Sequence, residues 1–230
     1  MIVGEHTCDN CGFIETTIPL PAGFSPEFIK YPKIPRWSRN VIITEKIDGM
    51  NGQILITAIP NDYTSPTLIA YKKEADSACA YGTTWGMFVG SRNRLLTLNK
   101  SGDTHGFAAW CKERAEAVFD KLGPGRHFGE FWGKGINRNY GLDHNRFSLF
   151  RRDLWEGKEL PPDFYVVPKL GEGLVHHNTI YIPDICLNLL ISNGSYACKG
   201  YMDPEGVVIF HTASGHLYKK YCKNDEDATK

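Results

Sequence analysis

At 230 residues, with 42% apolar and 23% charged positions, the chain is long enough to bury a substantial core, and one domain with a small appendage is the default. Lysine plus arginine and aspartate plus glutamate number 26 each, so no global positive field draws the protein to a polynucleotide, and any nucleic-acid site has to be a local patch. The N-terminus lacks the basic start and apolar run of a signal peptide and no later run reaches membrane-spanning length, so we read a soluble, cytoplasmic protein (host cytoplasm if viral), monomeric by default. Seven cysteines, an odd and scattered set, fit reduced thiols better than a disulfide framework.

Residues 1–39 are rich in turn-formers (Pro19, Pro21, Gly23, Pro26, Pro32, Pro35) and read as an appendage and lead-in. Cys8 and Cys11, with His6 upstream, look like half a zinc ribbon, a possible N-terminal Zn²⁺ site lacking its other ligands except the distant His176-His177 pair. From Val41 the pattern changes. Val41 to Ile47 reads as a strand, Asp48-Gly49 as a tight turn and Gln53 to Thr57 as a second strand, which puts Lys46 at a strand end.

Asp103 and Thr104 can cap a helix with Phe107, Trp110, Cys111, Ala115, Val118, Phe119 and Leu122 on one face and Gly123 as its stop. A shorter helix is expected from about Pro183 to Ile191, ending near Gly194. Strand-like runs cover His127 to Trp132, Arg146 to Arg151, Tyr165 to Val167, Glu205 to His211 and Leu217 to Tyr221. Short strands with only two clear helices predict an α+β fold on antiparallel sheets, without internal repeats: a main domain over 40–222 and a short tail over 223–230.

By itself, a lysine near a hairpin is an ordinary surface residue. Here, however, Lys46-Ile47-Asp48-Gly49 resembles the Lys-x-Asp-Gly motif of the covalent nucleotidyltransferase superfamily of polynucleotide ligases and capping enzymes, and further runs follow in the family's order. Gly90-Ser91-Arg92 resembles the second motif, His127 to Gly133 (His-Phe-Gly-Glu-Phe-Trp-Gly) the third, and Arg146 to Phe150 the aromatic motif after it. Pro204 to Ile209 resembles the fourth and Leu217-Tyr218-Lys219-Lys220 the fifth. Asn51-Gly52 after the first motif, and the wording of the second and third, look most like small phage-type ATP-dependent RNA ligases.

The resemblance implies a ligase adenylation domain (nucleotidyltransferase, ATP-grasp-like) with a few flanking helices; larger members add an OB domain after the fifth motif, and since only Tyr221 to Lys230 follow it here, no C-terminal OB domain is expected. It implies that Lys46 takes AMP from ATP, that AMP passes to a 5′-phosphate RNA end, and that a 3′-hydroxyl then seals the break, with Mg²⁺ or Mn²⁺ offsetting phosphate charge. Lys219 and Lys220 would serve the phosphate. The family spaces its two lysines with one residue between them, on one strand face, whereas these are adjacent and must point to opposite faces; Lys219 is the first choice.

In the same resemblance Glu130 binds the ribose hydroxyls and Glu205 helps hold the metal, with Glu130 beside it. Arg92, or Arg94 nearby, meets phosphate or RNA; Phe147, or Phe150, stacks on the purine; Glu45 reads the adenine amino group; and Asp48 either joins the ATP site or serves the turn. Asn51, Lys134 and Arg138, with Ile136, Asn137 and Tyr140, would line the RNA side of the pocket, and Lys30, Lys33, Arg36, Arg39, Arg151 and Arg152 are further candidate cations. The alternatives are a DNA-nick or mixed-substrate ligase, or a non-catalytic RNA-end-binding module with the same fold.

Overall fold

The computed structural model describes the backbone at 5–7 and 14–16 and the chain over 28–74, 83–175 and 181–223. Two compact units divide it, residues 1–35 and 36–230. In the first, β1 (Glu5–Thr7) pairs antiparallel with β2 (Ile14–Thr16). Cys8 and Cys11 lie outside the described residues, as do His176 and His177. Among the described residues no group of three or more His, Cys, Asp or Glu could hold a metal ion.

The second unit holds β3 (Asn40–Lys46), β4 (Met50–Ile59), β5 (Leu68–Glu74) and β6 (Thr83–Ser91), then helices α1 (Phe107–Glu113) and α2 (Ala115–Leu122). β7 (Gly125–Gly133), β8 (Asn145–Leu149), the short helix α3 (Arg152–Trp155), β9 (Phe164–Val166) and β10 (Lys169–Leu174) follow. Last come α4 (Ile182–Asn193), β11 (Gly206–His211) and β12 (Leu217–Tyr221). The strands form a six-stranded sheet in the order β5-β6-β4-β7-β8-β9 and a four-stranded sheet in the order β10-β3-β11-β12. The result is α+β, antiparallel except where β8 runs parallel to β9.

Alternation decides what each sheet buries. Ile54 and Ile56 of β4, Phe131 of β7 and Phe147 and Leu149 of β8 join Phe107, Trp110, Cys111, Val118 and Phe119 in the main core beneath α1 and α2. The single expected helix breaks at Arg114, whose backbone leaves the α region (φ −107°, ψ 10°), and it stops at Gly123, where φ is +67°. On the smaller sheet Val41, Ile43 and Val207 pack under Cys186, Leu187 and Leu190 of α4. A third cluster of Ile47, Trp132, Tyr140, Val167 and Cys198 joins the two sheets. No helix among the described residues is long and apolar enough to cross a membrane.

The hairpin expected at Asp48-Gly49 does not form. β3 and β4 belong to different sheets, so residues 47–49 carry the chain across from one to the other. Strands β5, β6 and β10 have weak or mixed patterns in sequence, because the first two pack their buried positions against helices while β10 is interrupted by Gly171 and Gly173.

Candidate nucleotide-binding site

The crossing at 47–49 gives Lys46 its surroundings. Lys46 is the last residue of β3, and its Nζ donates to Oε2 of Glu205 at 2.6 Å, with the two side chains 24% and 12% exposed. The Gly49 amide donates to Glu130 Oε1 at 3.2 Å, which brings the β7 carboxylate to the same place. A Cβ on Gly49 would lie 2.4 Å from the Phe131 carbonyl and 3.0 Å from Glu130 Cγ, so only glycine lets the crossing pass this close to β7. Gly206 has the same role on the other side: its Cβ would fall 2.1 Å from the Lys220 carbonyl, between β3 and β12.

Register puts the adjacent lysines on different faces of the sheet. Lys220 pairs with Val207, which pairs with Glu45, so these three share the face under α4, and Lys220 forms an ion pair with Asp184 of that helix. Tyr221, Gly206 and Lys46 share the opposite face, with Lys219 two residues along it. Lys219 Nζ sits 5.0 Å from the Tyr221 ring centre and Lys46 Nζ 5.7 Å from it. Tyr221 is a neighbour of the site that the motif comparison passed over, although alternation along Lys219-Lys220-Tyr221 was a usable signal.

Burial raises the Glu130 carboxyl from 4.5 to about 7, with Glu205 adding to the rise and Lys46, the Gly49 amide and Arg92 opposing it. Burial also raises Glu205, against the pull of Lys46. For an acid held high in the folded state, the unfolded chain releases its proton first, so the stability cost of Glu130 grows as pH rises from about 4.5 to about 7. Glu130→Gln removes that cost. Its melting temperature is therefore expected to gain on the parent's between about pH 5 and about pH 8, read by thermal melts in matched buffers; a constant offset would mean that Glu130 titrates normally.

Several expected site residues lie elsewhere. Glu45 is 1% exposed and faces α4, where its Oε1 accepts from Ser195 Oγ at 2.6 Å and its Oε2 from the Tyr196 and Ala197 amides at 2.8 Å each. Burial raises this carboxyl while those three donors hold it down. It organises the 195–198 turn and has no free edge for adenine. Phe147, fully buried, packs on Phe107 at 5.0 Å and Phe164 at 5.4 Å in the core, on the face opposite Glu130. Phe128 of β7 (43% exposed) and Phe150 just after β8 (38%) lie on the Glu130 face.

Asp48 makes no tight turn. Its carboxylate takes hydrogen bonds from Asn137 Nδ2 (2.8 Å) and Arg138 Nε (3.0 Å), and its amide donates to the Tyr140 hydroxyl (2.8 Å). Arg138 also binds Asp203 at 2.6 Å, so its charge is already matched and it is not an open RNA contact. Tyr140 and Ile136 are buried rather than lining a mouth. Asn137, Asn139 and Tyr140 all adopt left-handed backbone, φ 42°, 62° and 51°, a strained run that the Asp48 contacts help hold.

Asn51 pairs with Glu130 across β4 and β7 and so shares its face. Arg92 is exposed and close enough to act on Glu130, whereas Arg94 donates to the Ser101 carbonyl at 3.2 Å and lines a separate cavity with Asp103 and His105. Lys134 is exposed beyond β7. Arg151 pairs with Asp153 and Arg152 with Glu156, so both are engaged locally.

No protein-family model and no curated protein sequence matches the chain. Solved structures of a Naegleria gruberi RNA ligase are similar to it. One variant with ATP and Mn is 16% identical with a TM-score of 0.46, over 79% of this chain and 48% of that one. A variant with AMP and Mn is 17% identical with a TM-score of 0.48, over 80% and 50%. Another with ATP and Mn is 17% identical with a TM-score of 0.48, over 94% and 66%. The chain thus spans about half the length of the first two.

Proposed function

We propose that the chain is an ATP-dependent RNA ligase of the covalent nucleotidyltransferase class, with its catalytic module over residues 40–222. The observation that carries this reading is the meeting of Lys46, Glu130, Glu205 and Lys219, drawn from β3, β7, the approach to β11 and β12, around one strand end that faces away from α4. Four residues of the ordered motifs, far apart in sequence, share this one place, as a site for nucleotide transfer to an amine requires.

In this mechanism Lys46 Nζ, once its proton is released, attacks the α-phosphorus of ATP, forming an N–P bond as the bond to pyrophosphate breaks. Lys219 supplies positive charge on the same face, where negative charge spreads over the phosphoryl oxygens. Glu130 would bind the ribose hydroxyls. Glu205, with Glu130 beside it, offers the hard carboxylate oxygens that would hold a magnesium-type ion. Such an ion would neutralise phosphate charge and compete with Lys46 for Glu205. The AMP would then activate a 5′-phosphate RNA end for attack by a 3′-hydroxyl.

The test is incubation with Mg²⁺ or Mn²⁺ and α-³²P-labelled ATP or GTP, followed by denaturing electrophoresis and then by sealing of 5′-phosphate and 3′-hydroxyl RNA ends against DNA equivalents. Label from ATP and sealing of RNA are expected. Absence of label from either nucleotide on folded, AMP-free protein would leave a binding module, and equal sealing of DNA would leave a mixed-substrate ligase.

The two adjacent lysines give a sharper check. Lys219→Ala should lower labelling by about tenfold or more through loss of one charge at the phosphate. Lys220→Ala should leave labelling near the parent's and cost under about 1 kcal/mol, the usual worth of an exposed ion pair. Equal effects on labelling would contradict the register.

A further inference from the structure

Residues 28–39 read Phe-Ile-Lys, Tyr-Pro-Lys, Ile-Pro-Arg, Trp-Ser-Arg. These are four triplets with a large apolar residue first (Phe28, Tyr31, Ile34, Trp37) and a cation last (Lys30, Lys33, Arg36, Arg39), and no acidic residue interrupts them. The expectation of a chain without repeats passed over this one, which is too short for a repeat fold. All twelve residues are exposed and none lies in a helix or strand. Phe28, Tyr31 and Ile34 are 88%, 78% and 80% exposed, an unusual amount of apolar side chain to leave in water.

Pro32 and Pro35 fix their own φ near −65° and steer Tyr31 and Ile34 toward extended backbone. The polyproline II conformation completes a turn in three residues and rises about 3.1 Å with each. In that conformation residues 28–35 would make a three-edged rod, with Lys30 and Lys33 about 9 Å apart along one edge, Phe28, Tyr31 and Ile34 along the second and Ile29 and the prolines on the third; at 37–39 the chain turns, the Arg39 amide donating to the Trp37 carbonyl at 2.8 Å. None of the four cations forms an ion pair with another described residue. The C-terminal end of the segment is fastened: the Trp37 ring stacks on His211 of β11 at 5.4 Å and 10°, and the Trp37 carbonyl lies 2.8 Å from His211 Nε2. β11 is the strand that pairs with the Lys46 strand.

We infer that residues 28–39 form an arm that binds single-stranded RNA, with the lysines and arginines on successive phosphates and Phe28, Tyr31 and the free face of Trp37 stacking on bases. The choice of RNA as the polynucleotide rests on the ligase reading above. A charged edge interleaved with aromatic rings is the pattern for sequence-tolerant binding to a single strand. Pro32-x-x-Pro35 also resembles a ligand for a proline-binding groove, but one flanking cation would suffice there, whereas this segment carries one in every triplet.

The experiment measures binding of the full chain to fluorescein-labelled single-stranded RNA across a range of salt. The variant Lys30→Ser, Lys33→Ser, Arg36→Ser, Arg39→Ser should flatten the slope of log affinity against log salt by about 3, four contacts at about 0.7 each. Phe28→Ser with Tyr31→Ser should weaken binding about tenfold or more and leave the slope as in the parent, since stacking releases no counterions. A four-cation variant with the parent's slope and affinity overturns the inference, as does loss of binding confined to vesicles of anionic phospholipid. Neither variant touches the Lys46 site, so both should take nucleotide label as the parent does. A parent that takes no label would count against the ligase reading alone, because the salt slope reads the arm independently.

Discussion

Lys46→Arg should abolish covalent nucleotide labelling, by more than about a thousandfold, while leaving the fold and non-covalent ATP binding near the parent's. The guanidinium keeps the positive charge that faces Glu205 at 2.6 Å in the parent, so the ion pair can be rebuilt and the crossing at 47–49 is not disturbed. It cannot supply a neutral amine at any pH the protein survives. Lys46→Ala should lose the label equally and also release the Glu205 carboxylate, which lies in the field of Asp48. Comparing the two by denaturing electrophoresis and thermal melts separates nucleophile from structural cation. Residual label on Lys46→Arg would place the covalent bond on another residue and sink the proposed mechanism.

Glu45→Ala is expected to destabilise the protein by about 3 kcal/mol, because the Ser195 hydroxyl and the Tyr196 and Ala197 amides lose their common acceptor inside the fold. For a unit of this size that corresponds to a fall in melting temperature of roughly 6–12 °C. Glu45→Gln should cost less: burial already works against the charge, and the amide oxygen retains part of the acceptor role. If Glu45 instead read adenine, Glu45→Gln would change the preference between ATP and GTP at unchanged stability. Melting curves and labelling with both nucleotides decide between these outcomes.

The residues that meet at the proposed site could be named from sequence because their motifs are ordered along the chain, and β3, which carries Lys46, shows period-two burial. Lys46, Glu130 and Glu205 were legible in that way, as were β3, β7, β11, β12 and α4 to within a few residues. The same local signals could not separate Asp48-Gly49 from a hairpin turn, because an Asp-Gly step is compatible with either a return or a crossing, and only the partner strands differ.

What a period of two states is that neighbours face opposite ways; it does not state which way the site lies. The sequence therefore determined on its own that Lys219 and Lys220 are divided between two faces, and that Glu45 and Lys46 are divided likewise. Only the tertiary structure decided that α4 covers the face of Lys220 and Glu45, that α1 covers the face of Phe147, and that Arg138 is matched by Asp48 and Asp203. The reason is physical: strand register and helix placement are set by contacts between segments far apart in the chain, such as the 159 positions between Lys46 and Glu205, and no local pattern encodes them.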